Sequence, residues 1–162
     1  MAHLAAIREE ENEHFRSFLE TQDGESTDAL VFSLQENVSK KVDCRRCGNC
    51  CKSLMIVVTE DELHRVAELT HSTPKDWREK NIEEGLSGKM ILNTIPCLFL
   101  SERQCTIYPD RFEGCREFPG LHLPGFTRRY FTLMMHYDRC PIVFNVVEQL
   151  KKHLSFFSEV KD

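Results

Sequence analysis

Eight cysteines are the residues of this 162-residue chain whose type and spacing could do chemistry. Four lie in the short stretch Cys44-Arg45-Arg46-Cys47-Gly48-Asn49-Cys50-Cys51, and the four distal cysteines are Cys97, Cys105, Cys115 and Cys140. Thiolates two residues apart on a tight loop can meet one soft cation, and Gly48 supplies the backbone freedom that such a loop needs. The pattern predicts that all eight thiols are metal ligands, in preference to disulfides or inert buried thiols.

The spacing leaves the metal open between an iron–sulfur cluster and zinc. Cys44, Cys47 and Cys50 form a C-x2-C-x2-C triplet, which holds three corners of a 4Fe–4S cluster in bacterial ferredoxins. The preferred fourth ligand is Cys140, because the Cys140-Pro141 step matches the end of ferredoxin motifs. Four-thiolate sets suit zinc as well, and eight cysteines also divide into two such sites.

The immediate neighbours of the thiols suggest how they differ. Consecutive side chains tend to diverge, so we expect Cys50 and Cys51 to serve different roles, either in two four-thiolate sites that share the loop or as one ligand and one reactive thiol. Four positive side chains beside thiols are expected to lower the thiol pKa and favour metal capture; they are Arg45, Arg46, Lys52 and Arg116. His136, four residues before Cys140, could replace a cysteine ligand, although a lone histidine is more often structural.

Composition predicts a small single α+β domain over residues 1–162, with several helices around short strands and irregular cysteine-rich metal-binding loops. The segments are N-terminal helices over 1–43, a cysteine-cluster metal-binding core over 44–141 and a C-terminal helix over 142–162. The formal charge of −5 argues against nucleic acid or an anionic membrane as the main partner and leaves room for an unidentified protein partner. Without a signal core or a long apolar stretch, we expect a cytoplasmic protein with reduced thiols.

Apolar spacing predicts most of the helices. One helix is expected over about 2–21, and a second begins with Ser26 as its cap after the break at Asp23-Gly24. The last helix is expected over 142–157.

Two further helices have start signals in the sequence. Thr59-Glu60-Asp61-Glu62 matches a capping box that opens one of them, and Thr73-Pro74 opens the other, with Trp77 on its inner face and Gly85 at its end.

Short apolar and β-branched runs predict the strands. These are expected at 54–58, in two pieces within 89–100 interrupted at Pro96-Cys97, and at 130–137. Residues 101–128 have little periodicity and would fold more easily when cross-linked by metal.

Several of these steps recur in one known family. They are Cys44-x2-Cys47-Gly48-x-Cys50-Cys51, Pro96-Cys97-Leu98-Phe99-Leu100, Cys105-x-Ile107-Tyr108-x2-Arg111-x3-Cys115-Arg116-x-Phe118-Pro119 and Cys140-Pro141. Together they resemble the CxxCxxCC family of zinc- or iron-chelating domains, over about residues 44–141. One departure is Arg111-Phe112, where the family often has Arg-Pro.

The resemblance implies chelation and leaves the biological role open. A flagellin lysine N-methylase carries a similar cysteine domain in a longer chain, so one alternative is an iron–sulfur-dependent enzyme of methyl-transfer or redox type. In that case Tyr108, Arg111 and Arg116, which flank thiols, could orient a substrate. Another alternative is an interaction module with purely structural zinc, in which the acidic N-terminal helices make the contact.

Overall fold

The structure is a computed structural model that describes residues 1–156. These residues form two compact units. Of the described residues, the helical unit comprises Met1–Asp43 and 119–156, and the cysteine-rich unit comprises Cys44–Phe118. Helices and small antiparallel sheets occur together, which confirms the α+β class. The organisation as one domain over 1–162 stays a prediction.

Helices account for most of the regular structure. Over the described residues they are α1 (Ala2–Ile7), α2 (Glu9–Leu19), α3 (Gly24–Ser39), α4 (Cys44–Cys47), α5 (Glu60–Leu69), α6 (Pro74–Asn81), α7 (Glu113–Glu117), α8 (Phe126–Met134) and α9 (Pro141–His153), with short 3-10 helices at Cys50–Lys52 and Tyr108–Asp110. No helix in residues 1–156 has the length and apolar character that crossing a membrane requires. The last helix is expected to reach Phe157, which lies outside the described residues, but it ends at His153 with Leu154 as its C-cap.

The strands are short and belong to the cysteine-rich unit. Those of the described chain are β1 (Val57–Val58), β2 (Ile82–Glu84), β3 (Met90–Leu92), β4 (Leu100–Ser101) and β5 (Gln104–Cys105). One antiparallel sheet has the order β1-β3-β2, with Val57 opposite Ile91, and β4 pairs with β5 in a separate hairpin. The strand predicted at 54–58 is therefore confined to its last two residues.

The N-terminal helices differ from the prediction at two points. The single helix expected over 2–21 is divided at Arg8, whose φ of −100° and ψ of 13° interrupt the helical backbone. The cap of α3 is Asp23 and not Ser26, because the Asp23 carboxylate accepts the Ser26 N–H at 2.8 Å. Asp is as good an N-cap as Ser, and here it also places Gly24 as the first helical residue.

The strand predicted at 130–137 is wrong, because this segment belongs to α8 and the turn that follows it. Phe126, Tyr130 and Leu133 are buried and follow the i, i+4, i+7 spacing of one helix face. The aromatic residues of the segment favour a strand, but the helical spacing of its buried side chains decides the conformation. Asp28 of α3 caps the new helix, since its carboxylate accepts the Gly125 N–H at 2.6 Å and the Phe126 N–H at 2.8 Å.

The core of the helical unit lies among α2, α3, α8 and α9. Its fully buried side chains include Phe15, Leu19, Val31, Val146 and Leu150. One charged group is also buried there: Lys151, 3% exposed, donates to Glu11 and Glu148, each at 3.0 Å. A buried ammonium needs such partners, because removing it from water is costly.

The cysteine-rich unit has its own apolar core under the larger sheet. Val58, Leu63, Val66, Trp77 and Phe112 are buried in one cluster. Trp77 is 3% exposed, so its predicted place in the core is confirmed. The capping box is also confirmed, with Thr59 and Glu62 bonding each other's backbone N–H groups. The helix expected to end at Gly85 ends at Asn81 instead, because Ile82–Glu84 pairs with β3 as β2.

Candidate metal centre

Seven of the eight predicted ligands lie in the cysteine-rich unit, and Cys140 lies in the helical unit. Cys140 is the N-cap residue of α9 and is 6% exposed. No disulfide joins the eight cysteines, each of which lies within the described residues. The fold therefore leaves every predicted sulfur donor in its thiol form.

Four thiols from four separate segments interact with one another. They are Cys51 in the first 3-10 helix, Cys97 in the turn before β4, Cys105 in β5 and Cys115 in α7. The negative charges of Cys51, Cys97 and Cys105 all raise the pKa of the Cys115 thiol, and Cys51 acts likewise on Cys97 and Cys105. Such mutual effects require the four sulfur atoms to share one neighbourhood. We call these four residues the inner thiols.

Backbone hydrogen bonds hold two inner thiols in matching turns. The Phe99 N–H donates to the Cys97 sulfur, and the Ile107 N–H donates to the Cys105 sulfur. Both turns thus have the form cysteine, any residue, large apolar residue. Thr106 joins them, because its N–H and its hydroxyl donate to the Phe99 carbonyl at 2.9 and 3.1 Å. Sulfur that accepts N–H bonds is stabilised as thiolate, which is the form that binds metal.

The cysteine loop is attached to these turns at two points. The Cys97 N–H donates to the Cys51 carbonyl at 2.8 Å. Gly48 has a φ of +63°, and a Cβ built on it would lie 2.8 Å from the carbonyl oxygen of Arg103, in the turn between β4 and β5. Only glycine tolerates both this backbone conformation and this close approach. Gly48 therefore has a packing role as well as its expected role in the tight loop.

Burial is the main cause of the raised pKa at three of the four inner thiols. Burial is the largest cause that raises the pKa of Cys97, of Cys105 and of Cys115, the last to about 12. For Cys51 the largest cause is the hydrogen bond between its side chain and that of Cys50, followed by burial, and its pKa is also raised. The prediction that neighbouring positive side chains would lower the thiol pKa is wrong for Cys51 and Cys115, where the pKa is raised by the hydrogen bond to Cys50 and by burial respectively.

Cys115 is positioned through a buried carboxylate. Glu62 of α5 is 8% exposed, and its Oε1 accepts the Glu113 N–H at the start of α7 at 2.6 Å. The other oxygen of the same carboxylate accepts the Thr59 N–H at 2.9 Å. One side chain therefore caps two helices, and the second of them carries Cys115. The sequence signal for Glu62 is its capping box, which identifies the bond within α5 but not the bond to α7.

The side chains suggested for substrate orientation bind their own segment. The Arg111 guanidinium lies 4.0 Å from the centre of the Tyr108 ring and donates to the Tyr108 carbonyl at 2.9 Å. Arg116 donates to the carbonyls of Arg111 and Pro109 at 3.1 and 2.6 Å. These bonds fix the 3-10 turn between Cys105 and Cys115. The Arg111 charge also lowers the pKa of the Cys105 and Cys115 thiols, although burial raises each pKa by more.

The remaining candidates lie at other places in the fold. Cys44, which is exposed, and Cys47 stand at the two ends of α4. Cys50 is the neighbour of Cys51 in the 3-10 helix, and the hydrogen bond between the two side chains shows that they do not diverge completely. His136 lies in the turn after α8, where its carbonyl accepts the Cys140 N–H at 2.8 Å and burial lowers the pKa of its ring.

The donor set fits a soft metal in its chemistry. The inner thiols are all sulfur, and thiolate ligands select zinc and iron–sulfur clusters over hard cations. Over residues 1–156, no group of three or more His, Cys, Asp or Glu side chains could hold a metal ion in its present arrangement. The inner thiols are therefore gathered without being closed into a coordination sphere, and binding would require the sulfur atoms to draw together.

A small α+β unit that gathers thiols from several irregular loops defines a cysteine-rich metal-binding domain. A family model agrees: CxxCxxCC, described as a "putative zinc- or iron-chelating domain", matches residues 43–141. The chain belongs to this family, and its metal-binding character follows from that membership. Comparisons with curated proteins and with solved structures gave no match.

Proposed function

We propose that the cysteine-rich unit binds an iron–sulfur cluster or a zinc ion through Cys51, Cys97, Cys105 and Cys115. The observation that supports this proposal is the mutual interaction of these four thiols, which come from four different segments of the chain. Four thiolates complete the ligand set of a structural zinc ion and also that of a 4Fe–4S cluster. A bound zinc ion would cross-link the loops, whereas a cluster would add a redox centre.

The other predicted ligands then have a secondary place. A second metal ion, or the exchange of metal at the first site, would involve Cys44, Cys47 and Cys50. Cys140 would not be a ligand of the ion that the inner thiols hold. The ferredoxin-like triplet lies beside the inner set, with Cys50 hydrogen-bonded to Cys51, and its predicted role as three ligands of a cluster stays a prediction. The identity of the metal is then a question for the purified protein.

The first test is the metal content of protein purified without oxygen, with the visible spectrum of the same sample. Iron and sulfide with a brown colour would identify a cluster, and colourless protein with stoichiometric zinc would identify a zinc site. Folded protein that stays free of metal after reconstitution with either ion would contradict the proposal.

A pair of variants tests the ligand assignment. Cys115→Ser should lose the metal, because serine does not replace a thiolate at a soft ion. Cys44→Ser is the matched control, since Cys44 is exposed at the start of α4, and it should retain the metal. Metal loss in Cys44→Ser with full retention in Cys115→Ser would show that the loop triplet, and not the inner set, holds the ion, and equal loss in both would contradict the assignment to the inner set alone.

We do not propose a catalytic step, because Arg111 and Arg116 are engaged by backbone carbonyls of their own segment. We propose a cytoplasmic location, which would keep the thiols reduced. A protein partner, rather than nucleic acid or a membrane, is consistent with the charge of −5.

A further inference from the structure

A cavity of about 400 Å³ lies within the cysteine-rich unit, between α4 and the turn of the β4–β5 hairpin. Its lining consists of Arg46 of α4, of Glu102 and Arg103 in the hairpin turn, and of Gln104 at the start of β5. All four residues are exposed, so a bound molecule can reach their polar groups. Binding sites for small molecules commonly have volumes of about 300 to 1,000 Å³, so the cavity is large enough for one.

Three charged side chains of this lining have no ion-pair partner. The ion pairs of residues 1–156 do not include Arg46, Glu102 or Arg103. Two guanidinium groups and one carboxylate are therefore available to a ligand. A guanidinium can bind a carboxylate through two parallel N–H bonds, and a carboxylate can accept hydrogen bonds from an ammonium group.

The hairpin turn that carries two of these charges has a constrained backbone. Glu102 and Arg103 alone connect β4 to β5, and Glu102 has a φ of +54°, which residues other than glycine rarely adopt. Such conformations persist where the surroundings hold them, and they are common at binding sites. The close approach of the Arg103 carbonyl to Gly48 holds this turn against the cysteine loop. The segments that carry the two guanidinium groups are thereby fixed relative to each other.

The cavity is adjacent to thiols on both of the segments that line it. Cys47 follows Arg46 in α4, and the inner thiol Cys105 follows Gln104 in β5. A ligand in the cavity therefore lies beside the proposed metal site. Sulfur is the donor that zinc and iron–sulfur centres prefer, so a ligand that carries a thiol can take part in ligand exchange there.

We propose that this cavity binds a small peptide with two carboxylates, one ammonium group and a thiol, and that the thiol exchanges metal with the inner thiols. Arg46 and Arg103 bind the carboxylates, Glu102 accepts from the ammonium group, and the Gln104 amide bonds a peptide group. Ligand and lining thus have opposite net charges. In the exchange, the ligand thiolate replaces a cysteine thiolate at the metal and its proton passes to that cysteine, so no oxidant or reductant is needed. This step rests on the proposed metal site, whereas peptide binding does not.

Peptide binding is tested on the full chain by isothermal titration calorimetry. The probe is S-methylglutathione, a tripeptide with these three charged groups whose methylated sulfur cannot act as a thiolate. Saturable binding is expected. The diethyl ester of the same peptide has no carboxylate and should bind at least about tenfold more weakly, because the charge-assisted hydrogen bonds to the guanidinium groups are lost. No saturable binding, or equal affinity for the ester, would overturn the proposal.

Three variants place the peptide in this cavity. Arg103→Gln should weaken S-methylglutathione by at least about tenfold. Arg45→Gln is the matched control, since it removes the same charge from α4 outside the lining, and its affinity should be nearly unchanged. Glu102→Gln should weaken the tripeptide but tighten glutarate, a dicarboxylate without an ammonium group, because repulsion is removed. Full affinity in Arg103→Gln, equal loss in Arg45→Gln, or tighter tripeptide binding in Glu102→Gln would contradict the assignment.

The exchange step is tested separately on metal-loaded protein. Glutathione should transfer the metal to the chromophoric chelator 4-(2-pyridylazo)resorcinol at least about tenfold faster than 2-mercaptoethanol at equal thiol concentration, because binding raises the local concentration of its thiol. This advantage should disappear in Arg103→Gln. If S-methylglutathione binds but glutathione has no advantage, the exchange step is wrong. Protein that retains no metal would contradict the metal site and the exchange step together, while calorimetry would still decide peptide binding.

Discussion

Glu62 shows how one side chain can organise the surroundings of the thiols. It is buried in the cysteine-rich unit and accepts hydrogen bonds from the Thr59 and Glu113 N–H groups. Carboxylates at helix N-termini stabilise them through direct bonds to unpaired N–H groups and through the helix dipole. The stability of α7, and with it the position of Cys115, should depend on this residue.

We predict that Glu62→Ala lowers the free energy of unfolding by about 2 to 3 kcal/mol, because two charge-assisted hydrogen bonds are lost. Glu60→Ala is the control: Glu60 is exposed and pairs with Arg78 on the surface, so its loss should change stability by less than about 1 kcal/mol. Urea unfolding followed by Trp77 fluorescence measures both. Equal effects in the two variants would mean that the bond to α7 contributes little.

Tyr130 should make the helical unit sensitive to alkaline pH. Its hydroxyl donates to the Asn12 carbonyl at 3.3 Å. Burial raises the pKa of this phenol, and the charges of Tyr137, Glu13 and Glu11 raise it further. In the unfolded chain the phenol ionises near its ordinary pKa of about 10, whereas the folded protein keeps it protonated above that pH. The raised pKa of Tyr130 therefore leaves the free energy of unfolding unaffected below about pH 10. Above that pH the unfolded chain is favoured by ionisation of the phenol, so stability is lost as the pH rises.

We predict that the melting temperature of the helical unit falls between neutral pH and about pH 10.5, and that it falls less in Tyr130→Phe, which has no phenol to ionise. Tyr130→Phe should be slightly less stable than the wild type at neutral pH, because it lacks the bond to Asn12. Circular dichroism at 222 nm is a suitable probe, since helices dominate this unit. An identical pH dependence in both proteins would be evidence against a raised pKa for Tyr130.

At the scale of elements, the cysteine-rich unit depends on the close contact of α4 and the β4–β5 hairpin. Gly48 makes this contact possible, because its positive φ turns the chain and its missing side chain admits the Arg103 carbonyl. The hairpin in turn carries Cys105 and follows directly after Cys97. A change at Gly48 should therefore act on the arrangement of the inner thiols as well as on stability.

We predict that Gly48→Ala destabilises the protein by about 1 to 3 kcal/mol, since alanine is strained at positive φ and would contact a backbone oxygen. Gly114→Ala is the matched control. Gly114 lies in α7 with nothing within 4 Å of its added Cβ, so alanine there should be neutral or stabilise the helix by about 0.5 to 1 kcal/mol. Thermal unfolding of the two variants gives the comparison, and a neutral Gly48→Ala would contradict the tight packing.

At the scale of the whole molecule, two compact units with separate apolar cores can differ in their response to metal. The inner thiols belong to the cysteine-rich unit, and so does the single tryptophan of the chain, Trp77. The helical unit contains no inner thiol. Metal binding adds its free energy only to the unit that provides the ligands.

We predict that removal of metal by a strong chelator lowers the midpoint of the Trp77 fluorescence transition. The remaining circular dichroism transition, which reports mainly on the helical unit, should change little. Restoring the metal should restore the first midpoint, which controls for damage by the chelator. A single transition that moves as a whole would show that the units unfold together.

Much of the candidate site could be predicted from the sequence because its signals are local. Spacing and residue type predict the cysteines as a metal-ligating set, and family membership confirms the metal-binding character but does not test the individual ligands. The capping box at Thr59 and the buried place of Trp77 also follow from short-range patterns, and both are confirmed. Such features depend on neighbours within a few residues, so no knowledge of the fold is needed.

Errors arose where two local signals competed. The segment 130–137 is rich in aromatic residues, which favours a strand, yet its buried positions follow the helical period and α8 forms. Ile82–Glu84 continues directly from α6 but pairs with β3, because a sheet partner distant in sequence satisfies its backbone. In each case tertiary packing decided between conformations that the local sequence permits.

By itself the sequence determined the chemistry, which is eight thiols that suit a soft metal. It also determined the helices that have clear capping signals and a clear helical periodicity. What only the tertiary structure decided is the grouping of those thiols. Cys51, Cys97, Cys105 and Cys115 interact because the β4–β5 turns, the Gly48 contact and the Glu62 bond bring four segments together. Sequence spacing describes distances along the chain, whereas coordination depends on distances through space, and only packing connects the two.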